Sequence, residues 1–325
     1  MSESIVHRLS IVIPVYQGEN TLETLIREIE PLTTEKKTPK GNRFSVTEVV
    51  LVHDCGPDSS DKILEELAKK YPFVRPVWLS KNYGQHPATL AGMASSTGDF
   101  VVTMDEDGQQ NPLEICLLLD AAVEGDAQLV YAEPINPPPH GFMRNLLSTS
   151  AKKIASVLLG NREVLHFNSF RLIDGETARS LAAYCGSGVF LDVALFWITA
   201  RTAHCRVTLR PEMDRTSGYS FTKLFGHFWQ LLLTSGTKPL RLITLMGFGS
   251  VILAMLITIY TLWVKFHLEV PVQGWASIVI VVAFFSGCIL TSLGIIAEYL
   301  AVTMTIVMGK PLYAVSTKPV RFKKS

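Results

Sequence analysis

Two long uncharged stretches in the last third of the chain restrict its fold more than any other feature. Residues 242–264 and 270–297 contain no charged side chain, and each exceeds the roughly 20 residues that a helix needs to cross the hydrocarbon core of a bilayer. Two such stretches in succession favour membrane-spanning helices over buried helices of a soluble protein. The short connection KFHLE predicts a transmembrane hairpin whose two flanks lie on the same side of the membrane.

Basic residues around these stretches predict their orientation. Lys238 and Arg241 precede the first stretch, and the segment after Glu298 contains basic residues but no acidic one. Under the positive-inside rule, flanks of this kind remain in the cytoplasm. We therefore expect a multi-pass protein of the inner (cytoplasmic) membrane, with the large N-terminal part and both termini in the cytoplasm.

The changes in composition predict four regions. Residues 1–215 form a cytoplasmic domain, residues 216–238 an interfacial amphipathic region, residues 239–298 the two transmembrane helices, and residues 299–325 a basic cytoplasmic tail. The second region contains FTKLFGHFWQLLLTS, whose aromatic and aliphatic side chains suit a helix lying along the lipid headgroups. The alternative for this segment is a core helix of the cytoplasmic domain.

Composition excludes some classes of partner. The net charge is +1, so no overall field points to nucleic acid or to an acidic partner. The five cysteines are scattered, with no CxxC pair and no Cys/His spacing of the kind that binds metals. Such a set is typical of reduced thiols in the cytoplasm rather than of a disulfide framework.

The N-terminal part of the chain alternates short β-rich segments with amphipathic helical segments. The predicted strands are LSIVIPVY, EVVLVHD, RPVWLS and DFVVTMD, and the predicted helices include NTLETLIREIE and SSDKILEELAKKY. This alternation predicts an α/β fold with a mostly parallel sheet covered on both faces. Such sheets bind ligands at the carboxyl ends of their strands, where Asp54 and the acidic residues of VVTMDEDGQQNP lie.

The acidic triplet Asp105, Glu106 and Asp107 predicts a cation site. Carboxylates at the end of a buried strand repel one another and are costly to desolvate without a positive partner. In an extended backbone, Asp105 and Asp107 project to one face and Glu106 points away. Two carboxylates suit Mg²⁺ or Mn²⁺, which typically bridge to the phosphates of a substrate. The alternative is a solvated acidic turn.

Three further residues lie where a nucleotide could bind. Asp54 could accept a hydrogen bond from a base N–H group, or it could be only a turn former or helix cap. Tyr16, at the end of the first strand, could stack on that base. The segment KNYGQHPATLAGM predicts a turn at Gly84 and then a helix, whose N-terminus favours anionic ligands. Lys81 could add a positive charge there; the alternative is an ordinary strand-to-helix connection.

Seven segments occur in an order that resembles glycosyltransferase family 2: IVIPVYQGEN, VHDCGPDSSD, KNYGQH, MDEDGQQNP, NSFRLID, SGYSF and KPLR. More narrowly, the chain is similar to the membrane-anchored polyprenyl-phosphate glycosyltransferases of the dolichyl-phosphate-mannose-synthase type. The resemblance implies a nucleotide-diphospho-sugar-binding domain (GT-A, Rossmann-like) with a mixed sheet, followed by a two-helix transmembrane hairpin. It also implies a homo-oligomer assembled through the hairpins.

The activity that the resemblance implies is that of an inverting, metal-dependent hexosyl- or pentosyltransferase. The donor would be a nucleotide-diphospho-sugar, of UDP type rather than GDP type, and the acceptor would be polyprenyl (undecaprenyl) phosphate in the lipid bilayer. The product, a lipid-monophosphate-linked sugar, would serve cell-envelope glycan or lipopolysaccharide modification. Two other functions remain open: transfer to a polysaccharide or a lipid-linked oligosaccharide, and service as a non-catalytic membrane partner protein.

Carried over position by position, the resemblance gives each motif residue a role. The nucleotide contacts would be Pro14, Tyr16 and Asp54, with Lys81 nearby. The metal and diphosphate would lie at Asp105 and Asp107, with Gln109 beside the donor sugar or phosphate. The acceptor site and the segment that covers the donor would involve Arg215, Ser217, Tyr219, Lys238 and Arg241.

Some positions depart from the family pattern. Gly18 stands where many relatives have Glu, Glu106 replaces a small residue, and Arg215 occupies a usual glycine position. Relatives often carry an Asp, the candidate base, in the region where this chain has His166 in HFNSF. An acceptor phosphate is largely ionised at neutral pH and needs little help from a base. His166 is therefore a candidate catalytic residue that could either orient the acceptor or simply pack.

Overall fold

We describe the fold from a computed structural model of the chain. The structure describes residues 5–136, 166–186, 190–210 and 274–320, together with helical positions scattered between 247 and 263. Part of the first predicted span (242–264) therefore lies outside the described residues. So do the whole interfacial region 216–238 and five predicted site residues: Arg215, Ser217, Tyr219, Lys238 and Arg241.

Nine strands and seven α-helices have defined bounds in this part of the chain. The strands are β1 (Val6–Val15), β2 (Lys36–Lys37), β3 (Arg43–His53), β4 (Val74–Leu79), β5 (Phe100–Thr103), β6 (Leu129–Pro134), β7 (Arg171–Asp174), β8 (Thr202–Val207) and β9 (Val315–Ser316). The helices are α1 (Leu22–Ile29), α2 (Ser60–Lys70), α3 (Gln85–Ser95), α4 (Ile115–Glu124), α5 (Gly175–Tyr184), α6 (Leu191–Ile198) and α7 (Trp275–Val307). The four strands and two helices predicted by name are confirmed as β1, β3, β4, β5, α1 and α2.

All nine strands form one sheet in the order β8-β6-β7-β5-β1-β3-β4-β9, with β2 beside β3. At its centre β5, β1, β3 and β4 are parallel, whereas β7 is antiparallel to both β5 and β6, and β9 is antiparallel to β4. The predicted parallel arrangement therefore holds for the central strands and for the β6–β8 pair, whereas β2, β7 and β9 are antiparallel to their neighbours. The mixed sheet that the resemblance implies is confirmed.

Helices cover both faces of the sheet because the central strands alternate apolar side chains between two clusters. On β1, Leu9, Ile11 and Ile13 pack into the cluster that also holds residues of α1, α2 and α4. Val12 points to the other face and packs with residues of α3, α5 and α6. Both faces of the central strands are thus buried, and the polar chemistry is confined to the strand ends.

Helix α3 lies unusually close to the sheet because its side chains are small. A Cβ atom added to Gly92 would lie 2.3 Å from a methyl group of Val12 and 3.0 Å from one of Val52. A close-packed interior has no room for that atom unless the neighbours shift. This close approach brings Gln85, the first residue of α3, to the edge where β1, β3 and β5 end.

One helix in the described part of the chain, α7, is long and apolar enough to cross a membrane, over Phe284–Val307. That segment extends about 36 Å, more than a hydrocarbon core of roughly 30 Å. The helix begins at Trp275 and continues through Glu298 to Val307, so it overlaps the predicted span 270–297 and extends beyond its end. It ends where Gly309 adopts a φ of +64° and donates its N–H to the Ile306 carbonyl at 3.0 Å.

The segment after α7 returns to the sheet. β9 pairs with the edge strand β4, and the Ser80 N–H donates to the Ala314 carbonyl at 2.9 Å. Leu312 and Tyr313 pack against the apolar cluster beneath α3. Part of the predicted basic tail is therefore an edge strand of the N-terminal domain.

A buried carboxylate joins three strands at the end of the sheet where β5 begins. Glu48 is 4% exposed and accepts hydrogen bonds from the Ser10 hydroxyl at 2.7 Å and from the Thr97 N–H and hydroxyl at 2.6 and 2.8 Å. It also pairs with Arg75. Burial raises the pKa of Glu48, but the hydrogen bonds from Ser10, Thr97 and Arg75 outweigh it and hold the pKa below its ordinary value of 4.5.

Glu48→Gln is expected to lower the free energy of unfolding at neutral pH by about 1–3 kcal/mol. The Glu48 carboxylate only accepts hydrogen bonds, whereas the Gln amide would place an NH₂ donor against the donors that surround it. Since the pKa of Glu48 is lower in the folded state than in the unfolded state, its contribution is present above pH 4.5 and is lost as the pH falls through the folded pKa. The difference in Tm between the two proteins in detergent should therefore shrink below pH 4.5.

The matched control is Glu35→Gln, which removes an exposed carboxylate paired with Arg43 and should change Tm little. An equal loss of Tm for Glu48→Gln at neutral and at strongly acidic pH would contradict the assignment.

Candidate active site

The predicted nucleotide and metal residues meet at the carboxyl ends of three neighbouring parallel strands. β3, β1 and β5 lie side by side, and Asp54, Tyr16 and Asp105 each follow one of them within two residues. The loops after β1 and β3 are joined by a hydrogen bond from the Asp54 N–H to the Val15 carbonyl at 2.8 Å. One edge of the sheet, the acidic edge, therefore carries these side chains together.

Asp105 is held by three side-chain donors. The Gln85 amide donates to Oδ1 at 2.7 Å, and the Gln110 amide and the Ser169 hydroxyl donate to Oδ2 at 3.0 and 2.5 Å. The Asp105 N–H in turn donates to Oε1 of Gln110 at 2.9 Å. The carboxylate is thereby fixed from α3, from the loop after β5 and from the segment before β7.

The surroundings of Asp105 raise its pKa to about 6. Burial is the main cause and the negative charge of Asp107 adds to it, while Ser169, Arg171 and Gln110 act in the opposite direction. The charged carboxylate is therefore under-compensated by the protein itself. A cation at the acidic edge would supply the missing positive charge.

Asp107 and Gln109 lie in a turn that is anchored by Arg210. The Gln109 N–H donates to Oδ1 of Asp107 at 3.0 Å, and the Arg210 N–H donates to the Gln109 carbonyl at 2.8 Å. The Arg210 guanidinium also pairs with Glu28 at 2.7 Å and donates to the Asn111 side chain at 2.8 Å. The turn is thus fixed from α1 and from the residues that follow β8.

Glu106 follows β5 in a turn and binds the backbone of the loop after β1. Its carboxylate is buried and accepts the N–H groups of Tyr16 and Gln17, each at 3.0 Å. A Cβ atom added to Gly18 would lie 2.8 Å from Oε2 of Glu106. The two departures from the family pattern therefore occupy one space: Glu106 fills a volume that a side chain at position 18 would need.

Asp54 supports the turn that precedes α3. Its two oxygens accept the N–H groups of Tyr83 and Gly84, both at 2.7 Å, and the side chain is buried. Burial raises the pKa of Asp54, and the two N–H donors partly offset that effect. Gly84 has a φ of +94°, which favours glycine. The Lys81 ammonium lies 5.1 Å from the centre of the Tyr83 ring.

Tyr16 and Pro14 line the acidic edge on the side of β1. Tyr16 leaves 42% of its surface exposed, so its ring is open to stacking, and Pro14 is half-buried. Gly56, in the loop after β3, packs directly against the Tyr16 backbone, because an added Cβ atom would lie 1.5 Å from the Tyr16 carbonyl oxygen. The position of Tyr16 thus depends on a glycine in the neighbouring loop.

The segment HFNSF divides its polar residues between two places. Ser169 is the residue that contacts Asp105, and the Asn168 side chain donates to the Ala132 carbonyl at 2.9 Å. His166 lies on the other side of the segment, with Nδ1 2.5 Å from Oε1 of Glu133. The structure therefore brings Ser169 to the acidic edge. His166 instead pairs with Glu133, a contact that the sequence does not predict.

The donor set at the acidic edge fits a hard divalent cation. The available ligand atoms are carboxylate oxygens of Asp105 and Asp107, which suit Mg²⁺ or Mn²⁺. The pKa of Asp105 is raised by burial and by the neighbouring Asp107, and a cation would offset both effects. An exposed aromatic ring, that of Tyr16, lies at the same edge.

Comparison with known proteins agrees with this arrangement. The model of the glycosyl transferase family 2 matches residues 10–190, more than half of the chain. The chain belongs to glycosyl transferase family 2. The predicted family is thereby confirmed, and the matched region contains the carboxyl ends of β1, β3 and β5.

Relatives resemble this family 2 member over almost their whole length. The undecaprenyl-phosphate 4-deoxy-4-formamido-L-arabinose transferase of Pseudomonas aeruginosa is 28% identical over 310 residues, which cover 94% of this chain and 88% of the relative. The bactoprenol glucosyl transferase of Shigella phage SfX is 23% identical over 317 residues, 96% of this chain and 99% of the relative.

Solved structures confirm the fold. Glucosyl-3-phosphoglycerate synthase from Mycobacterium tuberculosis, in complex with Mn²⁺, UDP-glucose and phosphoglyceric acid, superimposes with a TM-score of 0.51 and 18% identity. The superposition covers 71% of this chain and 79% of that one. The α/β nucleotide-sugar-binding fold with a mixed sheet is therefore shown for this family 2 chain.

Several residues of the site escape prediction from the sequence. Gln85, Gln110 and Ser169 hold Asp105, and Arg210 anchors the turn of Gln109, although none belongs to a charge or metal motif. Gln85 and Gln110 do lie within the quoted motifs KNYGQH and MDEDGQQNP, so their proximity to the acidic triplet was a usable signal. Arg210 lies in none of the quoted motifs, so no signal in the sequence pointed to it.

Gly56→Ala is expected to displace Tyr16, since the added atom has no space beside the Tyr16 carbonyl oxygen. UDP affinity, measured by calorimetry on the detergent-purified protein, should fall at least about tenfold, or about 1.4 kcal/mol. Gly287→Ala on α7 is the matched control, because no described atom lies within 4 Å of its added Cβ. Unchanged UDP affinity in Gly56→Ala would show that Tyr16 does not contact the nucleotide.

Gly18→Glu is expected to lower Tm, because the new side chain meets both Glu106 and Leu22 and places two carboxylates together. Adding Glu106→Ala should restore part of the loss, with a coupling of about 0.5–3 kcal/mol in a double-mutant cycle. The control pair combines Gly18→Glu with Glu124→Ala, which changes an exposed residue at the end of α4, and its effects should add. Additive effects at positions 18 and 106 would contradict the shared space.

Proposed function

We propose that the chain transfers a sugar from a nucleotide-diphospho-sugar, of UDP type, to a polyprenyl phosphate such as undecaprenyl phosphate. The observation that carries this proposal is the acidic edge, where Asp105 and Asp107 lie beside an exposed Tyr16 in a family 2 domain. Relatives that match nearly the whole chain are an undecaprenyl-phosphate sugar transferase and a bactoprenol glucosyl transferase. The product would be a lipid-monophosphate-linked sugar for modification of cell-envelope glycan or lipopolysaccharide.

On the donor side, Tyr16 and Pro14 would contact the nucleotide. Asp54 would act through the Tyr83–Gly84 turn whose N–H groups it binds, and so hold the N-terminus of α3 at the acidic edge. A helix N-terminus favours anionic groups such as a diphosphate. Lys81 would add a positive charge in the same place.

Asp105 and Asp107 would hold Mg²⁺ or Mn²⁺. When bound, the ion would neutralise the charge that develops on the departing nucleotide diphosphate. The residues of this chain supply the positioning: Gln85, Gln110 and Ser169 fix the Asp105 carboxylate. Gln109, in the turn beside Asp107, would contact the donor sugar or phosphate.

On the acceptor side, the phosphate oxygen would attack C1 of the sugar with inversion. Since a phosphate monoester is largely ionised at neutral pH, correct positioning matters more than a general base. Arg215, Lys238 and Arg241 would steady the acceptor charge, with Ser217 and Tyr219 in a covering segment. His166 would orient the acceptor side of the site through its contact with Glu133.

The membrane part would bring acceptor and site together. We propose that α7 and the first uncharged stretch form a hairpin in the inner membrane, with the family 2 domain and both termini cytoplasmic. Anchoring replaces a search in three dimensions by one along the surface, which raises the effective concentration of the lipid phosphate. Assembly of several copies through the hairpins stays a prediction.

Asp107→Ala is expected to abolish transfer while the protein remains folded. The assay combines purified full-length protein, radiolabelled UDP-sugars, undecaprenyl phosphate and Mg²⁺ or Mn²⁺, and it measures lipid-extractable label. Loss of electrostatic stabilisation at the leaving group should reduce the rate by about 100-fold or more. Glu124→Gln, an exposed acid on α4, is the matched control and should retain the wild-type rate.

Other outcomes of the same assay select other functions. Label that appears only with a polysaccharide or a lipid-linked oligosaccharide favours that acceptor class. No label with any UDP- or GDP-sugar, in protein whose thermal unfolding is cooperative, favours a non-catalytic membrane partner and overturns the proposed function.

A further inference from the structure

Glu133, His166 and His204 form a compact cluster, of which the proposed sugar transfer uses only the contact between His166 and Glu133. One ligand atom from each, a carboxylate oxygen and two imidazole nitrogens, lies within 4.8 Å of the others. Nδ1 of His166 is 2.5 Å from Oε1 of Glu133, and Nδ1 of His204 is 3.4 Å from the same oxygen. The two imidazole rings are 4.4 Å apart, and all three side chains are partly buried.

The sheet explains why residues so far apart in sequence meet. β6 and β8 are parallel with Tyr131 opposite His204, so Glu133, two residues beyond Tyr131, lies on the same face as His204. The segment before β7 runs alongside β6, where the Ala132 N–H donates to the Phe170 carbonyl at 3.0 Å. That segment delivers His166 beside Glu133.

The chemistry of the cluster differs from that of the acidic edge. Two imidazole nitrogens with one carboxylate oxygen suit Zn²⁺ and similar late transition metals, whereas Mg²⁺ is bound mainly by oxygen. Three protein ligands with a remaining open position are typical of zinc sites that also hold water or another oxygen ligand. The alternative to a metal site is a hydrogen-bonded pair of His166 and Glu133 with His204 packed beside it.

We propose that Glu133, His166 and His204 bind one divalent transition-metal ion of the Zn²⁺ class, with ligands separate from Asp105 and Asp107. In a tetrahedral site with bonds of about 2.1 Å, ligand atoms are about 3.4 Å apart. The His204–Glu133 separation of 3.4 Å already matches, and the His166–Glu133 separation has to widen by about 1 Å.

The surrounding contacts give this ion a positioning role. The Tyr131 ring stacks on His204 with centres 6.4 Å apart, and its hydroxyl donates to Asp192 at 2.9 Å, so the His204 side of the cluster rests on buried structure. On the other side, His166 precedes Ser169, which donates to Asp105. A metal ion that fixes His166 would therefore also restrict the segment that supports the acidic edge.

The test measures metal content and does not depend on sugar transfer. Full-length protein in detergent, free of any polyhistidine tag, is stripped with a chelator, loaded with Zn²⁺ and dialysed, and the metal is counted by mass spectrometry. We expect about one tightly held equivalent in the wild type, in Asp107→Ala and in His7→Ala, a control histidine on β1. Both His204→Ala and Glu133→Gln should lose that equivalent, with at least a tenfold weaker affinity in titration.

A second readout guards against misfolding of the variants. Loading the stripped wild type with Co²⁺ should give the visible absorption of a tetrahedral, nitrogen-ligated ion. Adding Zn²⁺ to the stripped wild type should raise its Tm. Both effects should be absent in His204→Ala and Glu133→Gln, even when these variants unfold cooperatively. Three outcomes would overturn the proposal. The wild type could retain no Zn²⁺, it could retain as much as His204→Ala, or retention could be lost only in Asp107→Ala.

Discussion

The charge on Asp105 is the constraint around which the rest of the site is arranged. Burial at the end of β5, with Asp107 close by, raises its pKa to about 6, so at neutral pH the fold maintains a carboxylate that the protein only partly compensates. Three uncharged donors, Gln85, Gln110 and Ser169, hold the group without cancelling its charge. The proposed cation would therefore meet a carboxylate whose position is already fixed by the protein.

The other acids at the same edge act on the backbone. Glu106 binds the N–H groups of Tyr16 and Gln17, and Asp54 binds those that open α3. Each of these two carboxylates therefore fixes a loop, whereas Asp105 and Asp107 are the pair that we propose as ligands of an ion. Glu106 also fills the space into which a side chain at Gly18 would extend, since an added Cβ atom there would lie 2.8 Å from Oε2.

Much of the central architecture could be predicted because it depends on local pattern. Alternating apolar residues locate β1, β3, β4 and β5, and their shared direction predicts that Tyr16, Asp54 and Asp105 meet. What could not be predicted depends on contacts between distant segments. The Glu133–His166–His204 cluster needs the β6–β8 register, and Ser169 reaches Asp105 only because β7 runs antiparallel to β5. The charge of Glu298 does not end α7, which continues to Val307 shortly before Gly309.

The return of the chain after α7 limits where the acidic edge can lie. Residues 308–315 connect the end of α7 to β9, and fully extended they span at most about 29 Å. β9 pairs with the carboxyl end of β4 at Trp78 and Leu79, and β4 leads directly into the turn that Asp54 holds. The end of the apolar helix is therefore tied to the donor side of the site through one strand pairing. If α7 crosses a bilayer, this tether keeps the acidic edge within reach of the headgroups, where a lipid phosphate presents its reactive oxygen.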